Sequence, residues 1–140
     1  MSDEYNLGRF ISATNGAYAG AFAEMQAGKK DGHWMWYIFP QLAILGQSDR
    51  SQFFGISGLA EATAFLADQS LGPRLVEISR VVLAHKGCDP VDIFGEVDAL
   101  KLRSSMTLFA LVPGADPVFE QVLDGLCGGR RCAKTLEALA

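Results

Sequence analysis

His33 opens a nine-residue tract, HWMWYIFPQ (33–41), that gathers both tryptophans of the chain with a tyrosine and a phenylalanine and ends in Pro40-Gln41. At neutral pH a histidine serves as base, hydrogen-bond donor or metal ligand. The ring faces of Trp34, Trp36 and Tyr37 offer a stacking platform for a planar or cationic ligand. Downstream, Gln41, Gln47, Ser48, Arg50 and Ser51 supply donors and acceptors, the mix that commonly orients a small molecule against an aromatic wall. A second constellation lies at Lys101, Ser104 and Ser105: a lysine four residues before a serine shares its helical face and has the chemistry to act as that serine's base. The catalytic candidates are therefore His33, Lys101 and Ser105, and the ligand-binding candidates Trp36, Tyr37, Gln41 and Ser48.

Each of these readings has a structural counterpart. A lone histidine with no carboxylate near it in sequence also serves to cap a turn. Dense aromatics supply core area, about 150 to 250 Å2 per side chain. Lys101 has an alternative partner in Asp98, three residues earlier on the same face. Gln41 to Ser51 has the composition of a solvated loop as much as of a pocket rim. Within the tract, Trp34, Ile38 and Phe39 are assigned to the core, leaving His33, Trp36, Tyr37 and Gln41 as the residues to test. His85, beside Lys86-Gly87, reads as a helix-end histidine whose charge complements the dipole.

Composition narrows the function classes. The formal net charge of −4 and pI near 5.1 repel a phosphate backbone, and the basic pairs Lys29-Lys30 and Arg130-Arg131 are too small to overcome this, so no nucleic-acid partner is expected. Charged residues interrupt every apolar run well short of the roughly 20 residues a membrane span needs. The acidic start, MSDEYNLGRF, lacks the basic and then apolar pattern of an export signal, so the expected compartment is the cytoplasm. Cys88, Cys127 and Cys132 form no C-x-x-C pair and have no histidine at finger spacing, so neither a disulfide framework nor a metal site is expected. G-x-S-x-G, H-E-x-x-H, P-loop and G-x-G-x-x-G patterns are missing, and no cofactor is implied. Oligomeric state is left open.

The elements that must position these residues read as helices. Length and hydrophobicity, 140 residues with 49% apolar, suit one domain with one core. Residues 6–14 and 18–27 form two helical pieces broken at Asn15-Gly16, the second stopped by Gly28. The tract itself is a short helix or irregular turn, because no hairpin partner alternates with period two nearby. Residues 42–56 form the longest loop, in which Phe53-Phe54 must be anchored in something apolar. Ser57 accepts from the first turn of a helix reaching about residue 67. Pro73 starts the next, Asp89-Pro90 and Asp116-Pro117 repeat a cap-then-proline start, and residues 96–112 form the most apolar and therefore central helix. A last short helix covers about 132–139. The expected architecture is all-α: a single compact domain of about seven or eight short, irregularly packed helices.

The runs GKKDGHWMWYIFPQL (28–42), LGQSDRSQFFGI (45–56), EATAFLADQSLGPRL (61–75), DALKLRSSMTLFA (98–110) and TLEAL (135–139) resemble the bacterial domain-of-unknown-function 1810 family over nearly the whole chain. The resemblance implies a mainly helical protein and brings no activity with it. Two departures stand out: Phe54 where tyrosine is expected, and no acidic residue in Gly129-Arg130-Arg131-Cys132. Two functional expectations remain: a domain binding a small or nucleotide-like molecule with hydrolase or transferase activity, and a helical protein–protein interaction module without catalysis.

Overall fold

A computed structural model describes residues 3–140; Met1 and Ser2, the start of the acidic N-terminal stretch, lie outside it. The described residues form nine α-helices and one 3-10 turn, more pieces than the seven or eight expected, and no strand. All-α, single-domain architecture is as the sequence predicts.

The two helical pieces expected at the N-terminus are one: α1 runs unbroken over Gly8–Ala27. Phe10, Thr14, Ala21 and Met25 are its buried positions and lie along one face, while Asn15 and Gly16 point to solvent. A mid-helix glycine costs about 1 kcal/mol. Burying Phe10 and Met25 in register returns roughly 1.5 to 3 kcal/mol each, so packing overrides the local break. Both carboxylate oxygens of Asp3 cap the start, accepting from the backbone N–H groups of Leu7 and Gly8 at 2.6 and 2.8 Å. Gly28 ends the helix in the left-handed region (φ 74°), and a Cβ there would also press against the His85 ring.

The tract contributes α2, Met35–Ile38, as expected of a short helix. The predicted long loop is only partly a loop. It holds the 3-10 turn Ala43–Leu45 and α3, Asp49–Phe53, capped by Ser48, whose Oγ accepts from the Ser51 N–H. Its two ends meet in an isolated parallel bridge between Leu42 and Ile56. Phe53 and Phe54 part company: Phe54 is half-buried against Phe10 and Tyr37, whereas Phe53 is 56% exposed and not anchored. The short α3 explains this, since consecutive helical residues point in different directions.

Helix α4, Leu59–Ala67, starts at Gly58, and Ser57 does not accept but donates, through both its N–H and its hydroxyl, to Glu61. Helix α5, Leu71–Leu83, begins two residues before Pro73 because Asp68 accepts from the Ser70 and Leu71 N–H groups. A Cβ on Gly72 would fall 2.0 Å from the Leu66 carbonyl oxygen, so only glycine lets α4 and α5 approach this closely. Helix α6, Pro90–Phe94, has the expected Asp89 cap and proline start. The apolar α7, Glu96–Ala110, is central over Leu102–Phe109, but Val97 and Leu100 are 67% and 59% exposed. Helices α8, Val118–Leu126, and α9, Ala133–Ala138, complete the chain, α8 again with an aspartate, Asp116, accepting from the Val118 N–H.

Helices α1, α5, α7 and α8 enclose the core. A run of aromatic neighbours crosses it, Tyr37, Phe54, Phe10, Phe65, Phe109 and Phe119, with centroids 5.1 to 5.9 Å apart. Under the N-terminal end of this run, Arg9 and Glu61 form a buried ion pair at 2.8 Å, their side chains only 9% and 4% exposed. Arg9 also donates to the carbonyls of Tyr5, Asn6, Phe53 and Gly55. Charge burial is tolerated because every donor has an acceptor.

Candidate functional site

Glu24 near the end of α1 shapes the approach to the tract. Its Oε1 accepts from the Asp31 N–H, the Gly32 N–H and the Trp34 indole at 2.8 to 2.9 Å. This satisfies the one polar atom that burial of Trp34 would otherwise strand. Burial works to raise the Glu24 carboxyl, but these hydrogen bonds and the nearby charge of Lys30 outweigh it and hold the group below the ordinary carboxylate value. Lys30 is itself folded inward: its Nζ donates to the Gly32 carbonyl, pairs with Asp98 at 2.9 Å, and lies 5.0 Å from the Trp34 ring centre. The loop is thus tied to α7 through Asp98, which also receives Lys101 at 3.5 Å.

The assignment of Trp34, Ile38 and Phe39 to the core holds, for all three are buried. Trp36 and Tyr37 are half-buried. Tyr37 packs its ring on Phe54 and belongs to the aromatic run. Trp36 carries two cations on its ring, Arg50 at 5.3 Å and Lys101 at 5.6 Å. With Gln41, Ser51, Met35, Phe39 and Phe54, Trp36 and Lys101 line one crevice, so three of the sequence-derived residues do come together. The space there is about 10 Å3, room for about one water molecule. The crevice as it stands has no room for a planar ligand on Trp36.

The remaining residues lie elsewhere. Ser48 is exposed and engaged in capping α3. His33 is exposed and does not line the crevice. Ser105 is fully buried, and its Oγ has no hydrogen-bond partner. No hydrogen bond among the described residues joins Lys101 to Ser105 or His33 to either, so the nucleophile-and-base pairing suggested by spacing is not assembled. Helical spacing put Lys101 and Ser105 on one face, but Lys101 extends to Asp98 while Ser105 points into the core. Ser104 donates to the Leu100 carbonyl within its own helix. His85 is structural in a different way from that expected: its Nε2–H donates to the Met25 carbonyl at 2.7 Å, joining the end of α5 to the end of α1.

A much larger concavity lies where α4, α5 and the turn between α7 and α8 meet. This cleft holds about 1160 Å3. Leu66, Val76, Val81, Val112, Ala115 and Phe119 form its apolar walls. Its polar rim has the Arg80–Asp116 pair at 2.8 Å and Glu77, which accepts from the Tyr18 hydroxyl at 2.5 Å. Burial first, and then the bond to Glu77, raises the Tyr18 phenol and keeps it protonated. Sequence reading passed over this region because its walls come from segments some 40 residues apart, each resembling an ordinary amphipathic helix. The spare signal was Val76 and Val81, apolar residues only half-buried on α5.

A family model for "Protein of unknown function (DUF1810)" matches residues 4–139. The chain belongs to the DUF1810 family. Similar in structure is the conserved hypothetical protein Rv1873 from Mycobacterium tuberculosis, solved by crystallography: 43% of residues are identical over 98% of both chains, with a TM-score of 0.95. No curated protein matches. Among the described residues of this DUF1810 chain, no helix is long and apolar enough to cross a membrane, and no group of three or more His, Cys, Asp or Glu side chains is arranged to hold a metal ion.

Proposed function

We propose that the protein is a small-molecule-binding domain whose ligand occupies the cleft between α4, α5 and the α7–α8 turn. The observation that carries this reading is the cleft's size and lining. Its volume of about 1160 Å3 exceeds the several hundred typical of drug-sized ligands, and a few polar groups converge on a mainly apolar wall. The rim also suggests the ligand's chemistry. Asp116 is already engaged by Arg80 and by the Val118 N–H, whereas among the described residues Glu77 accepts only from Tyr18. An apolar body bearing a basic nitrogen matches the unused capacity of Glu77. The proposal contains no catalytic step, and the hydrolase or transferase expectation finds no support in the positions of His33, Lys101 and Ser105.

Thermal-shift measurements with aryl and alkyl amines, and with matching carboxylates as controls, test the proposal. A ligand at 100 times its dissociation constant adds about 2.7 kcal/mol of stability. The amine shift should be lost or sharply reduced in Val76→Trp, which projects an indole from the wall into the cleft, and persist in Trp36→Phe. No saturable shift, or one lost in Trp36→Phe and kept in Val76→Trp, overturns it.

The alternative reading, a helical interaction module, is favoured by Val97 and Leu100, exposed one turn apart on α7. It predicts concentration-dependent association that Val97→Lys with Leu100→Lys abolishes.

A further inference from the structure

Between α6, the first half of α7 and the end of α8 lies a separate cleft of about 680 Å3. The turn after α5 forms part of its wall and is joined to α8 by the Gly87 N–H donating to the Gly125 carbonyl at 2.9 Å. Two arginines line it, Arg103 from α7 and Arg130 from the segment after α8. Neither pairs with a carboxylate among the described residues, although Arg131, next to Arg130, pairs with both Glu120 and Asp124. Arg103 is the more telling. Its Nε is buried without an acceptor, and its polar neighbour is the Cys127 thiol. A guanidinium has five N–H donors and no acceptor; Arg103 is half-buried with only its Nε enclosed, so its outer N–H groups are the ones that face the cleft.

The acidic residues in the same lining do not supply that charge. Asp89 is turned to cap α6, accepting from the Val91 N–H, and Glu96 is exposed in the first turn of α7. Gly128 adds bare backbone: it sits at φ 63°, and a Cβ there would meet nothing, so a ligand can reach the main chain. Val91, Leu100 and Leu126 give the cleft an apolar side.

We propose that this cleft binds the phosphate group of a small phosphomonoester, with Arg103 and Arg130 as its clamp. Two guanidinium groups balance a dianion, and their planar forks match phosphate oxygens in pairs. The exposed apolar wall fits the organic portion of the ester. This site is distinct from the amine cleft and does not depend on it.

Binding is measured by phosphorus NMR and thermal shift at low ionic strength with phenyl phosphate, inorganic phosphate and benzoate. Phenyl phosphate should bind saturably, inorganic phosphate more weakly for want of the apolar contact, and benzoate least. Arg103→Met should abolish saturable binding, and Arg130→Gln should weaken it about tenfold, as loss of one charged pair does. Arg103→Lys, which keeps the charge but loses the fork, should also weaken binding and serves if Arg103→Met fails to fold. Arg50→Gln and Val76→Trp should leave it unchanged. Undiminished binding in both Arg103 variants, loss in Arg50→Gln, or no saturable binding of either phosphate overturns the proposal. Saturation by inorganic phosphate with no preference for the ester removes the organic portion from it.

Discussion

Arg9 and Arg103 both carry buried guanidinium nitrogen, yet Arg9 is almost wholly withdrawn from solvent and saturated, whereas Arg103 is half-buried and is not. Arg9 donates to four carbonyls and to Glu61, and so fastens α1 to α4 and to the segment around residue 55. Arg103 has its Nε buried with no acceptor, and no carboxylate partner among the described residues. A buried charge that is fully paired belongs to the scaffold, because removing one partner strands the other. A half-buried charge left unpaired has donors to spare, and such groups gather where a ligand completes them. The difference separates, within one small helical domain, the part that holds the shape from the part that has binding capacity to spare.

The largest effect should come from the saturated side. Arg9→Met strands Glu61 and should cost about 3 to 5 kcal/mol in urea unfolding, a large fraction of a typical total. Adding Glu61→Leu should recover much of it. If the double variant is as unstable as the single one, Arg9 acts through its carbonyls and not through the pair.

Next comes Glu24, saturated in the same manner by three N–H donors. Glu24→Gln should lose roughly 1 to 3 kcal/mol near neutral pH, the range for hydrogen bonds to a charged group. Because folding lowers the affinity of Glu24 for its proton, its stabilisation is present above the ordinary glutamate value of about 4.3 and fades as pH falls below it. The gap between wild type and Glu24→Gln should therefore close in acid; a gap constant from pH 7 to 3 contradicts the role given to its charge.

On the unsaturated side the loss should be smaller or absent. Arg103→Met, without added anion, should leave stability unchanged or raise it, because it removes a buried N–H that has no acceptor. A loss as large as that of Arg9→Met would mean that Arg103 too is structural, and the contrast between the two would collapse.

The finest test is chemical. Burial raises the Cys127 thiol, with Arg103 acting against it, whereas at Cys132 hydrogen bonds from Ser104 and from Thr135 and Lys134 outweigh burial and lower the thiol. Alkylation mapped by mass spectrometry at pH 7 should modify Cys132 before Cys127, and Arg103→Met should make Cys127 slower still.

Helix caps and buried stripes were readable in the amino-acid order because they depend on neighbours a few residues apart. Asp89-Pro90, Asp116-Pro117 and the core side of the aromatic tract are of this kind. What escaped was set by distance along the chain. Arg9 meets Glu61 across 52 positions, and no local pattern distinguishes it from a surface arginine. The break expected at Asn15-Gly16 failed for the same reason: the partners that keep α1 straight, such as Phe65 against Phe10, lie on other helices. The crevice at Trp36 was found by type, as aromatic beside polar, but its closure by Arg50 and Lys101 depends on rotamers the sequence does not specify. Both larger clefts arise where helices fail to meet, and a gap leaves no residue of its own to read.

The Leu42–Ile56 bridge has a kinetic consequence. The Ala43 and Ile56 amides, which donate to the Ile56 and Gln41 carbonyls at 2.9 Å, close the segment like a clasp, with exposed Phe53 outside and half-buried Phe54 beneath. Arg9 of α1, donating to the Phe53 and Gly55 carbonyls, ties the clasp down, so the segment opens as a unit only when that tie is released. In hydrogen exchange these two amides should share one rate, slower than those of α3 and faster than those of α7, so that residues 42–56 unlatch before the central helix does.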